Sequence, residues 1–223
     1  MIPEKPSPKA APPPRGRPPL DEMERKHILE STTAVFLEKG FLRASTNEIA
    51  RRAQTSKQTL YALFPTKAEL FAGVMGVHME RLFSRHAYYI ESGKTPRRTL
   101  NEIGCRILTM FSAPEFLALY RIMVAEVHRF PDLARQLWRE CMQRGRGLLA
   151  ESLRAHRIGA PGYQTSAAQF ISFVLGDFLI EAMLNPDLRL GKPIRRARVR
   201  KAVDDFLKLH PEQAPSKRNQ AGR

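Results

Sequence analysis

Apolar residues recur at intervals of three and four positions along most of the chain, and this spacing predicts amphipathic α-helices. The first predicted helix has Asp21 as its N-cap and ends at Gly40. No strand-like alternation of useful length is present, so the pattern predicts an all-α fold. Four of the later helices begin at or beside a proline, whose missing N–H needs no partner in a first helical turn. The later helices are placed at residues 96–112, 114–128, 131–156, 163–185 and 193–209.

Two short helices between the first helix and a long fourth one predict a helix-turn-helix arrangement. Ser45 or Thr46 caps the second helix, Ser56 caps the third, Pro65 stops it, and Thr66 caps the fourth. The short, tight linker between the two short helices is typical of this arrangement. Apolar residues are spaced to pack both short helices against the first: Ile49, Ala50, Ala53, Leu60 and Phe64.

The exposed first turn of the third helix holds the candidate base-reading residues. In a helix-turn-helix, this end of the second motif helix enters the major groove. Gln58 can pair with adenine through two hydrogen bonds, Thr59 can meet a thymine methyl, and Lys57 can reach guanine or phosphate. By spacing alone, the same residues also fit a solvated turn of an ordinary helical bundle.

The stretch TNEIARRAQTSKQTLYALFPTKAELF at 46–71 resembles the DNA-binding domain of the tetracycline-repressor (TetR) family. The preceding FLEKGF at 36–41 resembles the exit of that family's first helix. The resemblance implies contacts to the DNA backbone by three residues, Thr46, Tyr61 and Lys67. It implies base contacts by four residues: Ser56, Lys57, Gln58 and Thr59.

The turn between the two short helices departs from the family pattern. The family usually has glycine there, whereas this chain has Gln54. A left-handed backbone costs a residue other than glycine about 1 kcal/mol. We therefore expect a tolerable but slightly reshaped turn.

Composition separates the chain ends from the folded part. Residues 1–20 hold eight of the 17 prolines and predict a disordered arm, because proline blocks helix formation; residues 211–223 predict a disordered tail. Between them we place the helix-turn-helix domain at 21–66 and a helical ligand-binding and dimerisation bundle at 67–210.

The arm contains the segment RGRP, with Arg15 and Arg17, which resembles the core of an AT-hook. An extended segment of this kind fits the narrow minor groove of A·T-rich DNA, where arginines meet enhanced negative potential. A solvated tail with incidental arginines is the alternative.

The net charge of +15 favours a polyanionic partner, with nucleic acid ahead of a membrane surface. The charge is nevertheless not concentrated in the helix-turn-helix, because residues 1–70 hold 12 Lys and Arg against 8 Asp and Glu. Part of the excess lies in a basic cluster over 189–201. That cluster fits long-range DNA attraction, a solvated helix face or an interface.

The family resemblance implies that the C-terminal bundle binds a small effector and forms a two-fold dimer through its last two long helices. An aromatic and methionine-rich lining suits an apolar or aromatic ligand. Both sets of candidate residues also fit ordinary packing inside the monomer. The pocket candidates are Tyr88, Phe111, Phe116, Tyr120, Met123, His128, Trp138 and Met142, and the dimer-interface candidates are Phe170, Phe173, Val174 and Phe178.

The sequence shows no pattern for catalysis or cofactor binding. Cys105 and Cys141 lack metal-ligand spacing, and no paired histidines, phosphate-binding glycine loop or nucleophile elbow is present. The two cysteines make no disulfide framework, so we expect a protein of the reducing cytoplasm. No apolar run approaches the roughly 20 residues of a membrane span, so membrane insertion is not expected. We predict a dimeric repressor that a small effector releases from palindromic operator DNA, or an architectural or protein-recruiting DNA-binding factor without an effector.

Overall fold

The computed structural model describes residues 20–83, 95–159 and 161–211, and the regular elements in these ranges are ten α-helices. The all-α prediction is confirmed. Predictions for Arg15, Arg17 and Tyr88 lie outside the described residues. The helices are α1 (Leu20–Arg43), α2 (Thr46–Arg52), α3 (Lys57–Leu63), α4 (Lys67–Phe83), α5 (Pro96–Phe111), α6 (Pro114–Ala125), α7 (Pro131–Ala155), α8 (Tyr163–Leu175), α9 (Phe178–Leu184) and α10 (Lys192–Leu209).

The first helix differs from its prediction at both ends. It begins at Leu20, so Asp21 lies inside it rather than at its N-cap. Gly40 has a φ of 70°, which kinks the helix but does not end it, and one further turn continues to Arg43. Glycine tolerates this conformation because it has no Cβ. The kink is therefore a bend within α1.

The predicted helix at 163–185 is divided into α8 and α9. Gly176 has a φ of 46° and ends α8, which frees carbonyl oxygens at the break. Arg198 on α10 donates hydrogen bonds to the carbonyl oxygens of Val174 and Leu175 and forms an ion pair with Asp177 at 2.6 Å. The break is thus stabilised by a neighbouring helix, which local periodicity does not reveal.

The core is continuous from the N-terminal helices into the C-terminal ones. Helix α1 packs against α2, α4 and α6, while α5, α8 and α10 pack against one another. Phe170 and Phe206 meet at a ring-centroid distance of 5.2 Å inside this second group. Within the described ranges, no single helix is both long enough and apolar enough to span a membrane. Two bent pairs, α5 with α6 and α8 with α9, meet both criteria only when the two helices of a pair are taken together.

Candidate nucleic-acid interface

Serine side chains set the start of both short helices. Ser45 Oγ accepts a hydrogen bond from the backbone N–H of Asn47 at 3.2 Å, and Ser56 Oγ accepts one from Thr59 at 2.9 Å. Each bond satisfies a helix N–H that has no intrahelical partner. Thr66 Oγ1 caps α4 in the same way through Glu69. These caps confirm three predicted helix starts.

The turn between α2 and α3 is a left-handed helix termination centred on Gln54. Its φ is 50°, and its N–H donates to the carbonyl of Arg51 at 3.2 Å. The next N–H, from Thr55, donates to the carbonyl of Ala50 at 3.0 Å. This pair of bonds is the Schellman pattern, in which glycine is the usual central residue. The backbone strain expected for a residue other than glycine therefore falls at the φ of Gln54, the central residue of this turn.

Apolar packing holds α2 on α1 and α3 on α2, and it buries the residues that the sequence predicts for these contacts. All five residues predicted for this contact are buried, and Ile49 and Leu60 are completely so. The small side chains of Ala50 and Ala53 allow the two helices to approach closely. The five are Ile49, Ala50, Ala53, Leu60 and Phe64.

An ion-pair network, absent from the sequence prediction, links α2 to α1. Arg52 donates two hydrogen bonds to the carboxylate of Glu38, at 2.6 and 2.5 Å, and a third to Glu48. Lys39 donates to the other oxygen of Glu48 at 2.5 Å. These bonds hold the pKa values of both carboxyl groups below their ordinary range. The four-residue spacing of Glu48 and Arg52 was the available sequence signal.

Two residues expected to contact the DNA backbone lie side by side on the exposed surface. Thr46 Oγ1, at the N-terminus of α2, is 3.1 Å from Tyr61 Oη on α3. The Lys57 ammonium lies 5.7 Å from the centre of the Tyr61 ring. Gln58 is exposed next to Lys57 on the first turn of α3. The fold thus brings together hydroxyl, ammonium and amide groups from two helices.

Ser56 and Thr59 are already engaged with each other. Their hydroxyl oxygens are 2.9 Å apart, in addition to the capping bond. Since this pairing uses part of the hydrogen-bonding capacity of both hydroxyls, Lys57 and Gln58 are the freer base-contact candidates.

Lys67 extends the surface to the start of α4. Its ammonium donates to the carbonyl of Leu42 at 3.1 Å and lies 4.7 Å from the centre of the Phe41 ring. Burial lowers the pKa of Lys67, and the nearby Glu126 acts in the opposite direction. An ammonium has three N–H donors, so this position leaves two for a phosphate.

Five of the predicted pocket residues lie in or against the C-terminal core. Phe111 and Phe116 meet at 5.1 Å between ring centroids, and Tyr120 stacks on Phe116 at 5.9 Å. Met142 lines a void beside Phe111, and Met123 lines a second void next to α1 and α4. Each void has a volume of about 10 Å³, which is room for about one water molecule.

Two of the residues predicted to line a pocket lie instead on the surface. Trp138 lies on the outer side of α7 with 46% of its surface exposed. His128 is also exposed, because α6 ends at Ala125 instead of continuing to residue 128. Neither side chain lines either of the two voids described above.

Three of the four residues predicted for the dimer interface lie instead in the core of the monomer. Phe170, Val174 and Phe178 are buried by contacts within one chain, so they present no surface to a second copy. Phe173 is 38% exposed. The next two large exposed apolar residues along the chain are Ile180 and Leu184, with 67% and 81% of their surfaces exposed.

Two family models match separate parts of the chain. The model described as bacterial regulatory proteins of the tetR family matches residues 28–74. The model described as the C-terminal domain of AefR-like transcriptional repressors matches residues 98–210, just over half of the chain. The chain therefore belongs to the TetR family. It is a DNA-binding transcription regulator and not an enzyme.

Two curated relatives come from Mycolicibacterium smegmatis. The transcriptional repressor KstR is 32% identical over 77 residues, which are 34% of this chain and 38% of that protein. The transcriptional activator FasR is 40% identical over 66 residues, which are 30% of each chain. The matched stretch thus spans about a third of the length of these relatives.

Solved structures match over nearly their whole length. A TetR-family transcriptional regulator from Mesorhizobium loti has a TM-score of 0.71 and 23% identity, over 86% of this chain and 98% of that chain. A protein described as the flavonoid-responsive regulator FrrA has a TM-score of 0.67 and 26% identity, over 86% and 100% of the two chains. These matches support the fold in both parts of the molecule.

Replacing Gln54 with glycine should stabilise the protein. Glycine adopts the positive φ without a Cβ penalty, so Gln54→Gly should raise the free energy of unfolding by about 1 kcal/mol over Gln54→Ala. Alanine is the matched control because it removes the amide and keeps the Cβ. Urea denaturation measures the difference, and equal stabilities of the two variants would contradict the assigned strain.

Proposed function

We propose that this regulator binds operator DNA with the first turn of α3 in the major groove. The observation that carries the proposal is the 3.1 Å contact of Thr46 and Tyr61 beside the exposed Lys57 and Gln58. Hydroxyl and ammonium groups bind phosphates, whereas a glutamine amide can read adenine. The surface therefore combines backbone-positioning groups with a base-reading group. Lys67 adds a phosphate contact at one end of this surface.

Gln58 and Lys67 should have different effects on DNA binding. Binding sites selected from random duplexes by the full chain provide the reference. Gln58→Ala should cost about 1–3 kcal/mol at one base position and relax the preference there. Lys67→Met keeps the aliphatic stem over Phe41, lowers affinity for all sequences and reduces the salt slope by about one.

Lys208→Met is the charge-matched control, because it removes one exposed cation from α10 at the other end of the chain. It should leave affinity and preference nearly unchanged. A uniform loss of affinity in Gln58→Ala would refute its base-reading role, and an unchanged salt slope in Lys67→Met would refute the phosphate contact.

We also propose that the chain acts as a homodimer through the outer surface of α8 and α9. Ile180 and Leu184 are one helical turn apart and therefore share a side of α9, with Phe173 on the preceding helix. Large exposed apolar side chains in a group mark an association surface. A two-fold dimer would present two α3 helices to successive major grooves, about 34–36 Å apart.

A charge at the centre of this surface should dissociate the dimer. Ile180→Asp would bury an unpaired carboxylate at the interface, so the protein should sediment as a monomer at concentrations where the unmodified chain is a dimer. Met23→Asp is the control, since Met23 is also an exposed apolar residue but lies on α1. Equal sedimentation of both variants and the unmodified chain would place the interface elsewhere.

We propose a small apolar or aromatic effector as the signal that releases the DNA. The cluster of Phe111, Phe116 and Tyr120 supports this class of ligand, as does similarity to a regulator described as flavonoid-responsive. Because the void beside Phe111 is only about 10 Å³, an effector must move side chains or helices apart to enter. The tight packing favours a second candidate, a DNA-binding factor without an effector.

A matched pair of glycine variants on α7 distinguishes the two candidates. Gly145 lines the void, and a Cβ there would be 3.2 Å from the Phe83 ring, whereas a Cβ at Gly147 would meet nothing within 4 Å. Unsubstituted flavone should raise the melting temperature of the unmodified chain and of Gly147→Val but not of Gly145→Val. No shift for the unmodified chain would favour the effector-free factor, and equal shifts in all three would refute binding at this void.

A further inference from the structure

A cleft of about 210 Å³ lies where α1, α4 and α6 meet, separate from the two core voids. One wall comes from α1, a helix of the DNA-binding part, and the other from α4 and α6. An occupant would therefore contact both parts of the chain. The cleft combines an apolar floor with four ionisable side chains: Glu30, His78, Arg81 and Glu115.

The apolar floor offers a surface for a small organic group. Leu29 is buried, while Ala34 and Leu37 on the same helix are exposed, and Val77 continues the floor on α4. The volume is below the roughly 300 Å³ at which drug-sized pockets begin. The cleft therefore suits a ligand with one ring or a short branched chain.

His78 is the polar group that makes this cleft more than a surface depression. Its exposed fraction is 8%, yet its ring lines the cleft. Nε2 is 3.9 Å from Glu115 Oε1, which is too long for a hydrogen bond, and the ring forms none with another described residue. Since no buried side-chain nitrogen of the described residues lacks a hydrogen-bond partner, the unpaired ring nitrogen of His78 is open to the cleft. One ligand atom between the two groups could lie about 2.9 Å from both.

The charge that lines the cleft as a whole favours a cation. Glu30 and Glu115 carry two negative charges against one positive charge on Arg81. Burial lowers the pKa of His78, with Glu115 raising it and Arg81 lowering it further. The imidazole is thus neutral at pH 7.5 and has one nitrogen that can accept a hydrogen bond.

We propose that this cleft binds a small organic cation, an amine whose ammonium donates to His78 and Glu115 and whose apolar body lies on Leu29 and Leu37. An ammonium supplies several donors, which matches a neutral nitrogen and a carboxylate 3.9 Å apart. The site goes beyond the proposed operator and core effector functions and depends on neither. Since its walls belong to both parts of the chain, binding there is linked to their relative arrangement.

Three probes of nearly equal size and different charge test the proposal: phenethylamine, 2-phenylethanol and phenylacetate. Calorimetric titration of the full chain at pH 7.5, without DNA, should show the amine binding about tenfold more tightly than the alcohol, since a charged hydrogen bond contributes about 1.4 kcal/mol more. Phenylacetate should bind more weakly still. Equal affinities for the three probes would overturn the proposal.

Substitutions locate the binding. Glu115→Gln, at an exposed position, should remove the preference for the amine over the alcohol, and Glu30→Gln should reduce it. Glu151→Gln makes the same charge change outside the cleft and should preserve it. Circular dichroism checks that each variant folds. An amine preference that survives both cleft substitutions would place the amine elsewhere and overturn the assignment.

Discussion

The packing of α1 is the constraint on which the other elements depend, because this helix contacts α2 on one side and α4 and α6 on others. Ile28, Val35 and Phe36 are completely buried along it. Burial of each such side chain stabilises the fold by about 1.5–3 kcal/mol. One helix thus sets where the DNA-binding surface lies relative to the C-terminal core.

The kink at Gly40 extends this role to the surface proposed for phosphate contact. Beyond the kink, Phe41 contacts Phe71 on α4 and Phe130 before α7, at ring-centroid distances of 5.8 and 5.2 Å. The ammonium of Lys67 lies over the same Phe41 ring. Phe41 therefore contacts both Phe130 of the C-terminal part and Lys67, the residue proposed to bind a phosphate.

Local signals in the sequence predicted the helix-turn-helix well. Ser45, Ser56 and Thr66 cap their helices, and Gln54 adopts the left-handed turn, because each feature depends on residues within one turn of the chain. The ion pairs of Arg52 were harder to foresee. Glu38 is 14 residues away from Arg52, so their contact follows from the crossing of α1 and α2 and not from local spacing.

The same distinction explains the corrected dimer residues. A helical period shows which side chains share a side of a helix, but it does not show whether that side meets its own chain or another copy. Phe170 meets its own chain, since α10 packs against α8 and Phe206 contacts Phe170. Phe178 on α9 is also buried within the chain, with Arg198 of α10 lying 5.8 Å from the centre of its ring. Arg198 fixes the break at Gly176 that directs Ile180 outward on a separate helix. The candidate interface thus depends on α10, which lies later in the chain than the residues it positions.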